Sequence, residues 1–143
     1  MSVSTSLTAR EANVFACLIA TVAAPGGDGL PPLAHTDALA SFRRLLDRAP
    51  AQNRIGLRAL LYGLELGPLL RGYGARLRQL PPARRAEYLR GFAHGPLAGP
   101  VDAIGALAKL SYYGDDGVMR TLGYDADAVV SRARELRRAE ARW

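Results

Sequence analysis

Apolar residues recur at three- and four-residue spacing along most of this chain, and nowhere do they alternate with period two over the length of a strand. That pattern predicts an all-α protein. Thr8 and Glu11 are spaced as a capping box, with Thr8 accepting from the third helical amide, Glu11 reaching back to the cap amide, and Leu7 standing where a staple residue would. Val14, Phe15, Leu18, Ile19 and Val22 then form one apolar stripe, which Pro25-Gly26-Gly27-Asp28-Gly29 ends.

Pro31 and Pro32 carry the chain onward in extended form. Thr36 with Asp37 is expected to cap a second helix with Leu39, Phe42, Leu45 and Leu46 inside and Arg43, Arg44, Asp47 and Arg48 outside. A third helix runs from about Ala51 through Leu66. Ile55, Leu57, Leu60, Leu61 and Leu64 make it apolar almost all round, which predicts the central, most buried helix, kinked or ended by Gly67-Pro68. Gly63 with Gly67, and Gly105, would let another helix approach closely. Leu80-Pro81-Pro82 restarts the chain after Gly72 and Gly74, and Ala83 to Phe92 reads as a fourth helix. Beyond the Gly95, Pro96, Gly99 and Pro100 loop, a fifth carries Val101, Ile104, Leu107, Ala108 and Leu110 into Ser111-Tyr112-Tyr113. Val118 to Leu122 is a short helical turn stopped by Gly123. A last helix, from about Asp127 to Ala141, sets Val129, Val130, Ala133 and Leu136 on one face, with arginines toward its carboxyl end as the macrodipole prefers. The expectation is a compact bundle of five to six helices, one domain over residues 1–143 with 1–6 flexible.

A length of 143 residues supports one core without staples. Cys17 is the sole cysteine, which excludes an intramolecular disulfide and any multi-cysteine metal site built from this chain alone. The richest apolar window, Ala59 to Leu70, is too short to span a bilayer and carries Glu65, so no membrane span is expected. Met1 to Thr8 has no basic region ahead of an apolar core and there is no twin-arginine motif, so the expected location is cytoplasmic. The net charge of +6 invites a polyanion, but the arginines are scattered, Lys109 is the one lysine, and this bias toward Arg, Ala, Gly and Pro is what a GC-rich genome produces.

Catalytic chemistry finds little purchase. His35 and His94 are far apart and lack carboxylates at ligand spacing, so no metal site is expected, and Cys17 falls on the first apolar stripe. Glu65, the acid in the apolar third helix, could be a buried general base, though such a residue more often pairs with an arginine. Ser41, Ser111 and Ser131 lack a nucleophile-elbow context, and Gly26-Gly27-Asp28-Gly29 follows a helix without the downstream Lys-Ser/Thr of a phosphate loop. Arg84, Arg85 and Arg90 surround Tyr88, and Arg132, Arg134, Arg137, Arg138 and Arg142 crowd the last helix. Glu87, Glu135 and Glu140 interrupt both groups, which disfavours nucleic acid as a partner.

The densest feature is Leu110-Ser111-Tyr112-Tyr113-Gly114-Asp115-Asp116-Gly117, followed by Leu122-Gly123-Tyr124. Tyrosines in such a turn either seal a core edge or anchor an interface. Together with Leu7-Thr8-Ala9-Arg10-Glu11, the Pro25 to Asp28 loop and Leu80-Pro81-Pro82-Ala83-Arg84-Arg85-Ala86-Glu87, this order resembles the gluconate 2-dehydrogenase subunit 3 family over about residues 7 to 125. These are small helical proteins or segments that accompany flavin oxidoreductases of the glucose–methanol–choline (GMC) class. The resemblance implies a non-catalytic accessory subunit, without a cofactor or catalytic residue of its own, that supports folding, export or stability of a large FAD-bearing partner. Tyr112, Tyr113, Asp115, Tyr124, Arg84 and Arg85 would be its partner-binding residues. Asp115-Asp116-Gly117 stands where gluconate dehydrogenase subunits carry a longer glycine-asparagine segment, so the gluconate substrate is not carried over. Two alternatives remain open: a stand-alone basic helical module for nucleic acid or an anionic surface, and a small cofactor-free enzyme with a helical cleft near Glu65, Tyr62 and Tyr73.

Overall fold

In the computed structural model, which describes residues 7–140, the capping box closes as its spacing predicts. Glu11 N–H donates to Thr8 Oγ1 at 3.2 Å, and Thr8 N–H donates to Glu11 Oε2 at 2.8 Å. These two bonds start α1 (Ala9–Val22), with Leu7 buried just before it. Val14, Phe15, Leu18 and Ile19 are essentially solvent-free, and α1 packs against α2 (Ala38–Arg48), α3 (Ala51–Leu70), α4 (Pro82–Arg90) and α5 (Ala98–Tyr113). Two further helices follow in the chain, the short α6 (Asp116–Thr121) and α7 (Ala126–Glu140). Among the described residues the chain is therefore all-helical, with seven α-helices, three one-turn 3-10 segments and no strand. The excess over five to six helices arises because Asp115 caps a complete α6 and the last helix follows it as a separate element. Residues 1–6 and Ala141, which the sequence reading placed in a flexible terminus and in the last helix, lie outside the described residues.

The first helix, not the third, is the axis of the bundle. In α3 only Leu61, Leu64, Glu65 and Pro68 are buried, while Ile55 is 59% and Leu70 89% exposed. An apolar circumference does not bury a helix unless neighbours surround it, and α3 packs mainly on α1 and on the 3-10 turn Leu77–Gln79. Nor does Gly67-Pro68 end α3. Pro68 lies in the last turn, where its missing N–H forfeits one backbone bond. In α2, Ala38, Phe42 and Leu46 face inward but Leu45 is exposed, narrowing the expected inner stripe. Phe42 stacks on Phe15 of α1, with ring centroids 3.5 Å apart. Thr36 does not cap α2; its hydroxyl donates to the Leu33 carbonyl.

Close approach is needed at Gly67. A Cβ there would land on the hydroxyl of Tyr88, whereas Gly63 and Gly105 face open space. Tyr88 is buried edge-on between Tyr73 and Phe92, with the Arg71 guanidinium over the Phe92 ring at 4.1 Å. Burial raises the phenol's pKa above its ordinary value; Arg71 opposes this and Tyr73 reinforces it. With the ring held on both sides, Gly67→Ala is expected to cost about 1–2 kcal/mol through overpacking. Gly63→Ala is expected to gain up to about 1 kcal/mol of helix propensity. Urea unfolding separates the two signs, and Tyr88→Phe in the Gly67→Ala background should recover most of the loss by removing the clashing oxygen.

Candidate docking surface

The Tyr112-Tyr113-Gly114-Asp115 segment works first as an internal clamp. Val101, Ile104, Ala108 and Tyr112 form the buried stripe of α5, and Tyr112, fully buried, donates its hydroxyl to the Pro31 carbonyl at 2.6 Å. Tyr113 donates to the Ala23 carbonyl at 3.2 Å. Gly114 ends α5 so tightly that a Cβ would sit 2.6 Å from the Leu110 carbonyl oxygen. Asp115 then accepts from Gly117 and Val118 through Oδ1, capping α6, and from Asp37 N–H through Oδ2 at 2.9 Å. The side chains of Tyr112, Tyr113 and Asp115 thus hold the α1–α2 connection, in which Ala24 and Asp28 take left-handed φ values of 44° and 52° that side chains disfavour.

Partial burial disfavours the charge on Asp115. The Asp37, Val118 and Gly117 amides and the Arg120 guanidinium outweigh it and hold the carboxyl below its ordinary value of 3.8. A carboxyl whose folded pKa is depressed stabilises the fold above its unfolded pKa and loses that contribution as pH falls through the folded value. Asp115→Ala is expected to cost about 0.5–2 kcal/mol at neutral pH, as N-cap loss does. The gap in urea midpoint between the two proteins should narrow as pH is lowered below 3.8.

The residues expected to bind a partner are thereby sorted. Tyr112 is a core residue and offers no surface, which corrects its reading as a contact; Asp115 and the Tyr113 hydroxyl are engaged internally. Tyr124 is half exposed. Arg84 lies over the Tyr73 ring and 3.6 Å from Glu87, while Arg85 turns inward to donate to Cys17 Sγ at 2.8 Å. Both arginines belong to α4, which packs on α1, whereas the tyrosines belong to the α5–α6 end beside α2, so the two groups do not form one site. Glu65 is closed off from solvent and holds the Arg78 guanidinium at 2.8 Å. Of its supposed cleft partners, Tyr62 lies under Arg10 and Tyr73 against Tyr88. His35 lines an open polar cleft of about 620 Å³ whose Arg44 is tied to Ser41 and whose Arg120 is tied to the Asp116 carbonyl. No group of three metal-ligating side chains occurs among the described residues.

What the sequence did not disclose is how much apolar surface the carboxyl-terminal third leaves open. Leu110 is 69% exposed, Leu122 and Tyr124 are each at least half exposed, and α7 buries none of its fifteen residues. Its expected inner face, Val129, Val130, Ala133 and Leu136, is exposed rather than buried in a core. A second apolar surface is a groove of about 520 Å³ whose lining includes Gly56, Ala59, Gly63, Leu97, Pro100 and Arg71. Among the described residues, no single helix is long and apolar enough to cross a membrane. Compared with family models, curated proteins and solved structures, the chain matches none.

Proposed function

We propose that this chain is a non-catalytic accessory subunit that acts by docking, with a large FAD-bearing oxidoreductase subunit of the GMC class as its partner. The observation that supports docking is α7, an amphipathic helix without a buried residue. A helix of this length is marginal in water without packing on its apolar face. The class of partner comes from the resemblance carried by the tyrosine segment and the capped first helix. On this reading the flavin and the catalytic residues belong to the partner, and Tyr124 with the open face of α7 replaces Tyr112 as the contact. Co-expression with the flavoprotein subunit is expected to yield a stoichiometric yellow complex. Separate elution with unchanged flavin loading would overturn the reading.

The exposed arginines of α7 support a second reading, as a basic module for a polyanion. Phosphate-driven binding must weaken steeply between low and moderate salt, and binding that does not would reject it.

A further inference from the structure

We infer that α7 is a docking helix that pairs with an amphipathic helix flanked by carboxylates on another protein. The inference deepens the accessory-subunit reading and rests on it for the identity of the partner. Ala126, Val129, Ala133 and Leu136 follow each other at three, four and three residues, the spacing of a helix–helix seam. All are exposed, as is Val130 beside them. Ala126, Val129 and Ala133 are small, which suits close packing against another helix rather than insertion into lipid, and Glu140 continues the seam where a bilayer-facing side would be apolar.

Charge then selects the partner. Arg132 and Arg137 flank the seam, while Arg134 and Arg138 lie on the outer side of the helix. Two copies of α7 in parallel would set Arg132 of each against Arg137 of the other, and an antiparallel pair layered on Ala133 and Leu136 would press Glu140 against Val129. The chain's own apolar groove has Arg71 on its lining, and the whole chain carries +6. Like charges across such a contact cost free energy, whereas carboxylates flanking the seam would meet the arginines and steer the encounter.

The test titrates the full chain with two synthetic helical peptides of about three heptads, Leu at both seam positions, flanked by Glu in one and by Lys in the other. The Glu peptide is expected to bind at least about tenfold more tightly than the Lys peptide, and Val129→Asp/Leu136→Asp to remove that binding. Because α7 buries no residue, this double variant should retain the wild-type unfolding curve. Arg132→Glu/Arg137→Glu should invert the preference between peptides. Equal binding of the two peptides would overturn the inference, as would Glu-peptide binding that survives the double Asp change. So would a concentration-dependent dimer, or binding to phosphatidylcholine–phosphatidylglycerol vesicles, that the same change abolishes, since the occupant would then be a second copy or a lipid surface. The flavoprotein decides the other reading separately. A double Asp variant that still co-purifies with it removes α7 from the contact, and a wild-type chain that binds the Glu peptide but captures no flavoprotein removes the partner class.

Discussion

Arg78→Ala is expected to lower the unfolding free energy by about 3–5 kcal/mol, read as a fall in the urea midpoint at unchanged slope. Glu65 is 0% exposed on α3, and Arg78 reaches it from the 3-10 turn, Nε to Oε1 at 2.8 Å, with its N–H at a longer 3.4 Å from Oε2. Removing the guanidinium leaves a buried carboxylate with a long amide contact in place of an ion pair. Glu65→Met is expected to cost far less, because the Arg78 side chain is 33% exposed and can turn its charge to water while the thioether fills the vacated volume. Equal losses from the two changes would show that the attraction, and not the stranded charge, dominates. The pair also joins α3 to the turn that packs on α1, so its loss loosens the contact between that turn and both helices.

Local signals were the legible ones. The capping box needs only Thr8 and Glu11, four positions apart counting both ends, and its geometry follows from that spacing whatever surrounds it. Burial is a different matter, because it depends on how many neighbours a face acquires. An all-round apolar pattern therefore named α3 as central, while α1, with a single stripe, is the helix that five other segments touch. An acid in an apolar helix more often pairs with an arginine than serves as a base, and for Glu65 the structure supplies Arg78. The inward turn of Arg85 onto Cys17 spans 68 residues of sequence and left no local trace.

The tyrosine segment shows why a candidate site is harder to read than a helix. Core edge and interface both use amphipathic aromatics, so composition alone left the choice open. The spacing of Val101, Ile104, Ala108 and Tyr112 does carry the answer for Tyr112, since it continues the inner stripe of α5. The apolar stripe of α7 was equally legible as a stripe. Whether such a stripe meets its own core or another molecule is set by where α6 and Gly123, with its φ of 79°, send the chain, and that is a property of the fold.

Phe42→Ala is expected to cost about 3–5 kcal/mol, the range for removing a buried aromatic ring. Phe42 is 1% exposed and lies nearly parallel to Phe15, itself 0% exposed, with 9° between their planes. The stack joins α2 to α1, which are otherwise linked through the connection that Tyr112, Tyr113 and Asp115 hold from α5 and α6. Phe42→Leu retains much of the volume and should cost less than about 1.5 kcal/mol. Combining Phe42→Ala with Phe15→Ala should cost less than the sum, because both changes open one shared cavity. Besides its packing on α5, two attachments hold α2, the ring stack at its middle and Asp115 at its amino end. Losing the first should lower the free energy of local opening in α2 more than in α1, which keeps its contacts with α3, α4 and α5. Hydrogen exchange reads this directly. Amides of residues 38–48 are expected to lose protection in Phe42→Ala ahead of those of residues 9–22, and equal loss across both would show that the two helices open as one unit.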